Sequence, residues 1–238
     1  MDVLLGAAGL VAGFTAALSG FGVGSFLTPV FASSVGTKVA VAAVAIPHLL
    51  GSGLRLWFLR RDLDRQLLRT FGLASAAGGL VGAALYLGLR SPALTVVFGS
   101  LLVLAGLLGL TGLDRRVRIS GSLAWIGGLV AGLLGGVVGH QGGIRSAALL
   151  GAGVDRKAFV ATSTAVAVIV DAVRTPVYLI QEGPRLVLLA FPISIAIVTV
   201  ALGTILGLGI LSRMPERLFR AVVSALILLL GIYVLIRL

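Results

Sequence analysis

The stretch GGVVGHQGGIRSAALLG, residues 135–151, decides how this chain is read. His140, Gln141 and Arg145 fall within six residues, flanked on both sides by Leu, Val, Ala and Gly. Polar side chains in an apolar setting cost free energy unless something pairs with them. What surrounds them therefore comes first.

The surroundings are hydrocarbon. Of 238 residues, 58% are hydrophobic and 11% charged, and the mean hydropathy is +1.15. A water-soluble domain of this length could not cover itself with so few charges. Apolar runs of about 18–20 residues, enough to cross about 30 Å of hydrocarbon, recur from end to end. The expected fold class is all-α, a polytopic integral membrane protein of the cell (plasma or inner) membrane.

Several functions are excluded or disfavoured by composition. The absence of cysteine rules out disulfides, thiolate metal sites and a cysteine nucleophile. No HExxH, GxSxG or paired carboxylates occur, so neither an enzyme, a metal centre nor a cofactor is expected. The +11 net charge sits in short loops, as the positive-inside rule expects, and not in a basic domain that would bind nucleic acid. Met1-Asp2 carries no basic n-region, so a cleaved signal peptide is not expected.

The apolar runs predict helices over Val3–Leu18, Gly24–Val35, Val39–Phe58, Leu67–Leu87, Ala93–Leu110, Ser122–Val138, Gly143–Gly151, Ala158–Tyr178, Leu186–Leu208 and Leu218–Ile236. Basic loops lie at Arg60/Arg61/Arg65, Arg115/Arg116/Arg118, Arg156/Lys157 and Arg213/Arg217/Arg220. Poorly charged ones lie near Lys38, near Arg90 and between Gln181 and Arg185. With the basic loops cytoplasmic, the sides alternate and the N-terminus is non-cytoplasmic. One exception is informative. Basic loops bracket residues 122–152 on both sides, so that segment must leave where it entered, as a hairpin.

A shift of 119 residues then pairs Gly13, Gly20, Gly24, Lys38, Val41, Ala42 and Arg55 with Gly132, Gly139, Gly143, Lys157, Val160, Ala161 and Arg174, without a gap. The opening stretch becomes the counterpart of SGFGVGSFLTPVF, residues 19–31. The chain is read as a first repeat (1–112), a cytoplasmic linker (113–121) and a second repeat (122–238). Each repeat holds a broken-helix hairpin plus three transmembrane helices. That is an odd number of crossings, so the second repeat is inverted. Inverted repeats with interrupted helices mark secondary transporters, whose sites lie near the midplane between the repeats.

The interruptions themselves suit an anion. Non-helical backbone inside a membrane must line a cavity or be buried in protein. A helix that resumes there presents free N–H groups and a positive dipole end. The expected substrate-binding residues are Gly22, Gly24, Ser25, His140, Gln141, Gly142, Gly143, Arg145, Arg55, Arg174 and Ser163. Thr162 and Thr164 offer further hydroxyls. His48, Asp171 and His140 are candidates for proton coupling, because imidazole titrates near physiological pH and a buried carboxylate can be shifted into that range. Other roles stand beside these. Arg55 could snorkel towards Arg60, Asp171 and Arg174, one turn apart, could form a purely structural pair, and Arg145 could pair with Asp171. The expected partners are a small anionic substrate, a coupling proton and the lipid bilayer, with the oligomeric state open. An anion channel is the alternative to a carrier.

The chain also resembles the sulfite exporter TauE/SafE family, the toluene-sulfonate uptake permeases. That family carries two glycine-rich hairpins of the form G-x-x-x-G-x-G-G-G-x-x-x-x-P, each followed by a helix beginning A-x-A-T-S. The first copy here is SGFGVGSFLTPVF, with Pro29 in place, followed by KVAVAAVAIPHLLGSGLRLWFLRR (38–61) without the Thr-Ser. The second keeps Gly139, Gly142 and Gly143, has Ala148 where the proline stands, and continues KAFVATSTAVAVIVDAVRTPVY (157–178). The resemblance implies a permease for small, often sulfur-containing anions such as sulfite and sulfonates.

Overall fold

The computed structural model describes residues 2–86, 92–112, 121–138, 141–150 and 153–236, and every regular element among them is helical. The elements are α1 (Asp2–Ser19), α2 (Val23–Val35), α3 (Thr37–Leu59), α4 (Arg65–Leu67), α5 (Leu73–Tyr86), α6 (Pro92–Thr111), α7 (Ser122–Val138), α8 (Gln141–Leu150), α9 (Arg156–Leu188), α10 (Ala190–Arg213) and α11 (Glu216–Ile236). A wide π turn, Leu68–Gly72, joins α4 to α5. Among the described residues, five stretches are long and apolar enough to span a membrane: Asp2–Ser19, Val39–Leu59, Arg156–Pro176, Ala190–Arg213 and Glu216–Ile236. The α2 helix, 13 residues long, is a shorter apolar helix. The protein is a multi-pass membrane protein.

The first predicted hairpin break is where the glycines are. Gly20 and Gly22 take φ of +76° and +133°, a region that L side chains rarely adopt, and α1 ends there. Gly36 alone, at φ +77°, turns α2 into α3. The break expected in the second hairpin falls at residues 139–140, outside the described residues.

One expected loop is absent. Residues 181–185 do not interrupt the chain, because α9 runs 33 residues from Arg156 to Leu188. Gln181, Glu182 and Arg185 have the polarity of a loop but the spacing of a helix: Arg185 Nη1 meets Glu182 Oε2 at 3.0 Å, one turn away. At 1.5 Å per residue α9 is about 50 Å long, well beyond the hydrocarbon thickness. Its start is fixed by Asp155, whose carboxylate accepts from the Lys157 and Ala158 amides.

Helices distant in sequence are joined through glycine. The pentapeptide GLVAG occurs twice, at 9–13 on α1 and at 128–132 on α7. A Cβ on Gly13 would overlap the Val200 carbonyl of α10, and one on Gly203 the Leu10 carbonyl of α1. A Cβ on Gly132 would overlap the Ser75 carbonyl of α5, and one on Gly78 the Leu129 carbonyl of α7. Backbone therefore lies on backbone in the parallel pairs α1–α10 and α5–α7, the close approach that small residues allow in membranes. The π turn serves the second pair by setting the Phe71 carbonyl against Gly128. Two other pairs, α3–α9 and α6–α11, run antiparallel. Of all these, α9 is the most enclosed of the long helices.

An alanine at Gly13 or Gly132 has no room and should destabilise the fold by about 1–3 kcal/mol, the range for an overpacked contact. Gly209, around which a Cβ meets nothing within 4 Å, is the control. Thermal unfolding in detergent should give lowered midpoints for the first two substitutions and an unchanged or raised one for Gly209→Ala.

Candidate functional site

The antiparallel seam of α3 and α9 carries most of the interior charge. On each helix the important positions are seven residues apart, two turns, and so share a face: His48 and Arg55 on α3, Thr164 and Asp171 on α9. Antiparallel packing brings His48 to Asp171 and Arg55 to Thr164. The His48 imidazole Nδ1 bonds Asp171 Oδ2. Arg174 clasps the other carboxylate oxygen, Nε to Oδ1 at 2.8 Å and Nη2 to Oδ1 at 2.7 Å. Arg55 donates from Nε to Thr164 Oγ1 at 2.8 Å and from Nη2 to Ser52 Oγ at 3.2 Å. It is 1% exposed, so it does not snorkel. Its Nη1 has no hydrogen-bond partner among the described residues.

The two hairpins meet this seam tip to tip. Arg145, 4% exposed on α8, donates from Nε to Ser163 Oγ at 3.1 Å. The Ser163 hydroxyl donates in turn to the Gly20 carbonyl at 3.3 Å, and the Ser146 hydroxyl to the Ser19 carbonyl at 3.0 Å. Ser19 closes the first break by donating to the Phe21 carbonyl at 2.8 Å. Gly142, at the start of α8, lies against Phe21, where an added Cβ would come within 2.6 Å of the Phe21 Cβ. Orphaned carbonyls of the first break are thus satisfied by hydroxyls from α8 and α9, as buried backbone requires. Ser163 and Thr164, adjacent on α9, each hold one buried guanidinium. Arg55 and Arg145 are close enough for their charges to act on each other and on Asp171.

The family model for the sulfite exporter TauE/SafE matches residues 5–234. The chain belongs to that family. No curated protein and no solved structure matches it. TauE/SafE proteins are membrane transporters, and sulfur-containing anions are the cargo the family name implies.

Within this TauE/SafE chain, Arg55, Arg145, Arg174, Ser163, His48, Asp171 and Gly142 gather around the α3–α9 seam and the facing hairpin tips. Gly22 caps α2 beside them, leaving the amides of Val23, Gly24 and Ser25 at its open end. Gly143 turns the other way, against Leu230 and Leu102. Ser25 is half-buried in the first turn of α2 and is joined to none of these hydrogen bonds among the described residues. Gln141 opens α8, and His140 lies outside the described residues. Arg145 pairs with Ser163 and not with Asp171.

Ser52 and Ser146 are the participants that the sequence reading missed. A signal for Ser52 was present. Ser52 and Arg55 stand three apart on α3, as Asp171 and Arg174 do on α9, and the 119-residue shift carries one pair onto the other. Ser146 has no such mark, because its acceptor is a carbonyl 127 residues away.

Asp171 is 1% exposed and bonded on both oxygens, so Asp171→Asn should lower stability by about 3 kcal/mol, the lower end for breaking a buried ion pair. Arg174→Gln should cost nearer about 1 kcal/mol, since the Arg174 side chain is 30% exposed. Denaturation of the two variants in parallel checks the order. A larger loss for Arg174→Gln would mean that the carboxylate is not the centre of the pair.

Proposed function

We propose that this chain is a secondary transporter that moves a small sulfur oxyanion by alternating access. The anion sits between the two hairpin tips, held by Arg55 and Arg145, by the hydroxyls of Ser52, Ser163 and Thr164, and by the backbone N–H groups at the open ends of α2 and α8. The carrying observation is Arg55: a guanidinium buried to 1% exposure with Nη1 unpartnered among the described residues. A buried cation with a free donor is the arrangement that an anionic ligand completes. Gly22, Gly24, Ser25, Gln141, Gly142 and Gly143 form or adjoin the helix starts, and His140, which lies outside the described residues, stays a candidate on its place in the sequence.

The helix partnerships support the reading as inverted repeats, 1–112 and 122–238. Under the 119-residue shift α1 becomes α7, α3 becomes α9, and α5 becomes α10. The pair α1–α10 thereby exchanges with α7–α5, both parallel, while α3–α9 maps onto itself, antiparallel. A two-fold axis in the membrane plane has this effect. Rocking about the α3–α9 seam would open the site to one face and then the other, with the N-terminus non-cytoplasmic. His48 and Asp171 couple the cycle to a proton. The imidazole is the side chain that ordinarily changes charge between about pH 5 and 8, and it sits on the carboxylate that also holds Arg174.

Purified protein should gain thermal stability with sulfite or a sulfonate and not with cations, and proteoliposomes should show saturable uptake that Arg55→Gln reduces about tenfold or more, the loss expected for a charged hydrogen bond. His48→Gln should remove the pH dependence of that uptake. An ohmic anion current would instead make the protein a channel, and stabilisation by no anion would overturn the site.

The inverted topology predicts that single cysteines in place of Asp62 and Leu189 react with an impermeant thiol reagent from opposite faces. The chain has no native cysteine to interfere. Reaction of both from one face would contradict the inversion.

A further inference from the structure

The charges at the seam do not balance, and the imbalance says what valence the cargo carries. Three guanidiniums (Arg55, Arg145 and Arg174) gather around one carboxylate, Asp171. Both oxygens of Asp171 are occupied, Oδ1 by Arg174 and Oδ2 by His48. Arg55 and Arg145 have only neutral acceptors, the hydroxyls of Ser52, Thr164 and Ser163. Neither touches a carboxylate among the described residues. Both are buried, to 1% and 4% exposure. Arg55 and Arg145 are thus two positive charges with no counter-ion in contact among the described residues.

Hydroxyls satisfy a guanidinium's hydrogen bonds but not its charge. A buried, uncompensated cation is among the costliest groups a protein can hold, and two of them repel each other. Resting on the anion-site reading above, we infer that the site selects a divalent oxyanion, one charge for each of Arg55 and Arg145, over a monovalent anion of the same shape. A monovalent sulfonate would leave one of the two guanidiniums unneutralised. Ser163 and Thr164 are consecutive on α9 and hold one cation each, and the two guanidiniums are close enough for their charges to act on each other. Arg174 is not part of this count, because its charge is spent on Asp171. A charge on His48 would be the fourth positive charge of the cluster and would lie next to Asp171, not next to Arg55.

The test compares isosteric anions that differ only in one S–O⁻ replaced by S–CH₃: sulfate with methanesulfonate, and sulfite with methanesulfinate, at pH 8. Affinities are measured by titration calorimetry on the purified full-length protein. In the better-bound pair the divalent member should bind at least tenfold more tightly. Equal affinities, or a preference for the monovalent member, overturn the valence inference and leave the anion site standing. Binding of none of the four overturns the site itself.

Arg145→Gln adds a second readout. It should weaken the divalent anion at least tenfold and change the monovalent one less than threefold, so that the preference collapses. Equal losses for both would mean that Arg145 acts through hydrogen bonds to shared oxygens, which overturns the charge argument. If Arg145→Gln does not fold, Arg145→Lys keeps the charge and should keep the preference; its loss would count against the inference.

Discussion

A guanidinium cannot lie unaccompanied inside a membrane protein, and this bundle encloses two. That constraint organises the centre of the molecule. Arg55 needs Thr164 and Ser52, so α3 must run antiparallel to α9 at one register, which also brings His48 to Asp171. Arg145 needs Ser163, so the tip of the second hairpin must come up to α9. Ser163 in turn holds the Gly20 carbonyl of the first hairpin. A short chain of polar contacts thus sets the relation of both hairpins to the central helix.

Glycine is the second organising element, and it acts by absence. In hydrocarbon no hydrophobic force draws one apolar helix to another, so association depends on close packing. The two GLVAG segments supply it by letting α1 lie on α10 and α7 on α5, backbone against backbone. Gly20 acts differently. It needs its positive φ, and the space where its Cβ would be is taken by Ser163 Oγ, 2.7 Å away. The same residue type therefore serves as a packing surface in the helices and as a pivot at the tip.

Much of this was legible in the sequence. The glycine cluster at residues 20–24 marked the break between α1 and α2, and the apolar runs marked the membrane character. What was not legible depends on distance in space. Nothing local reveals that Arg145 would choose Ser163 over Asp171, or that Ser146 would reach a carbonyl on α1. The loop expected at 181–185 misled for a simpler reason. Gln181, Glu182 and Arg185 are polar enough for a loop, yet Glu182 and Arg185 are spaced to pair within a helix, and Pro184 is accommodated inside it.

The pairing of α1 with α10 has a consequence for how the chain is made. When α7 is completed its partner α5 has existed for about fifty residues of synthesis, and the two can associate at once. The same glycine face on α1 has to wait until α10 has been added, some 190 residues later, which is roughly ten to forty seconds at ordinary synthesis rates. Through that interval GLVAG of the first helix has nothing of its own chain to lie against. In a chain stopped after α9 the glycine face of α7 already has its partner, while that of α1 is still without its own.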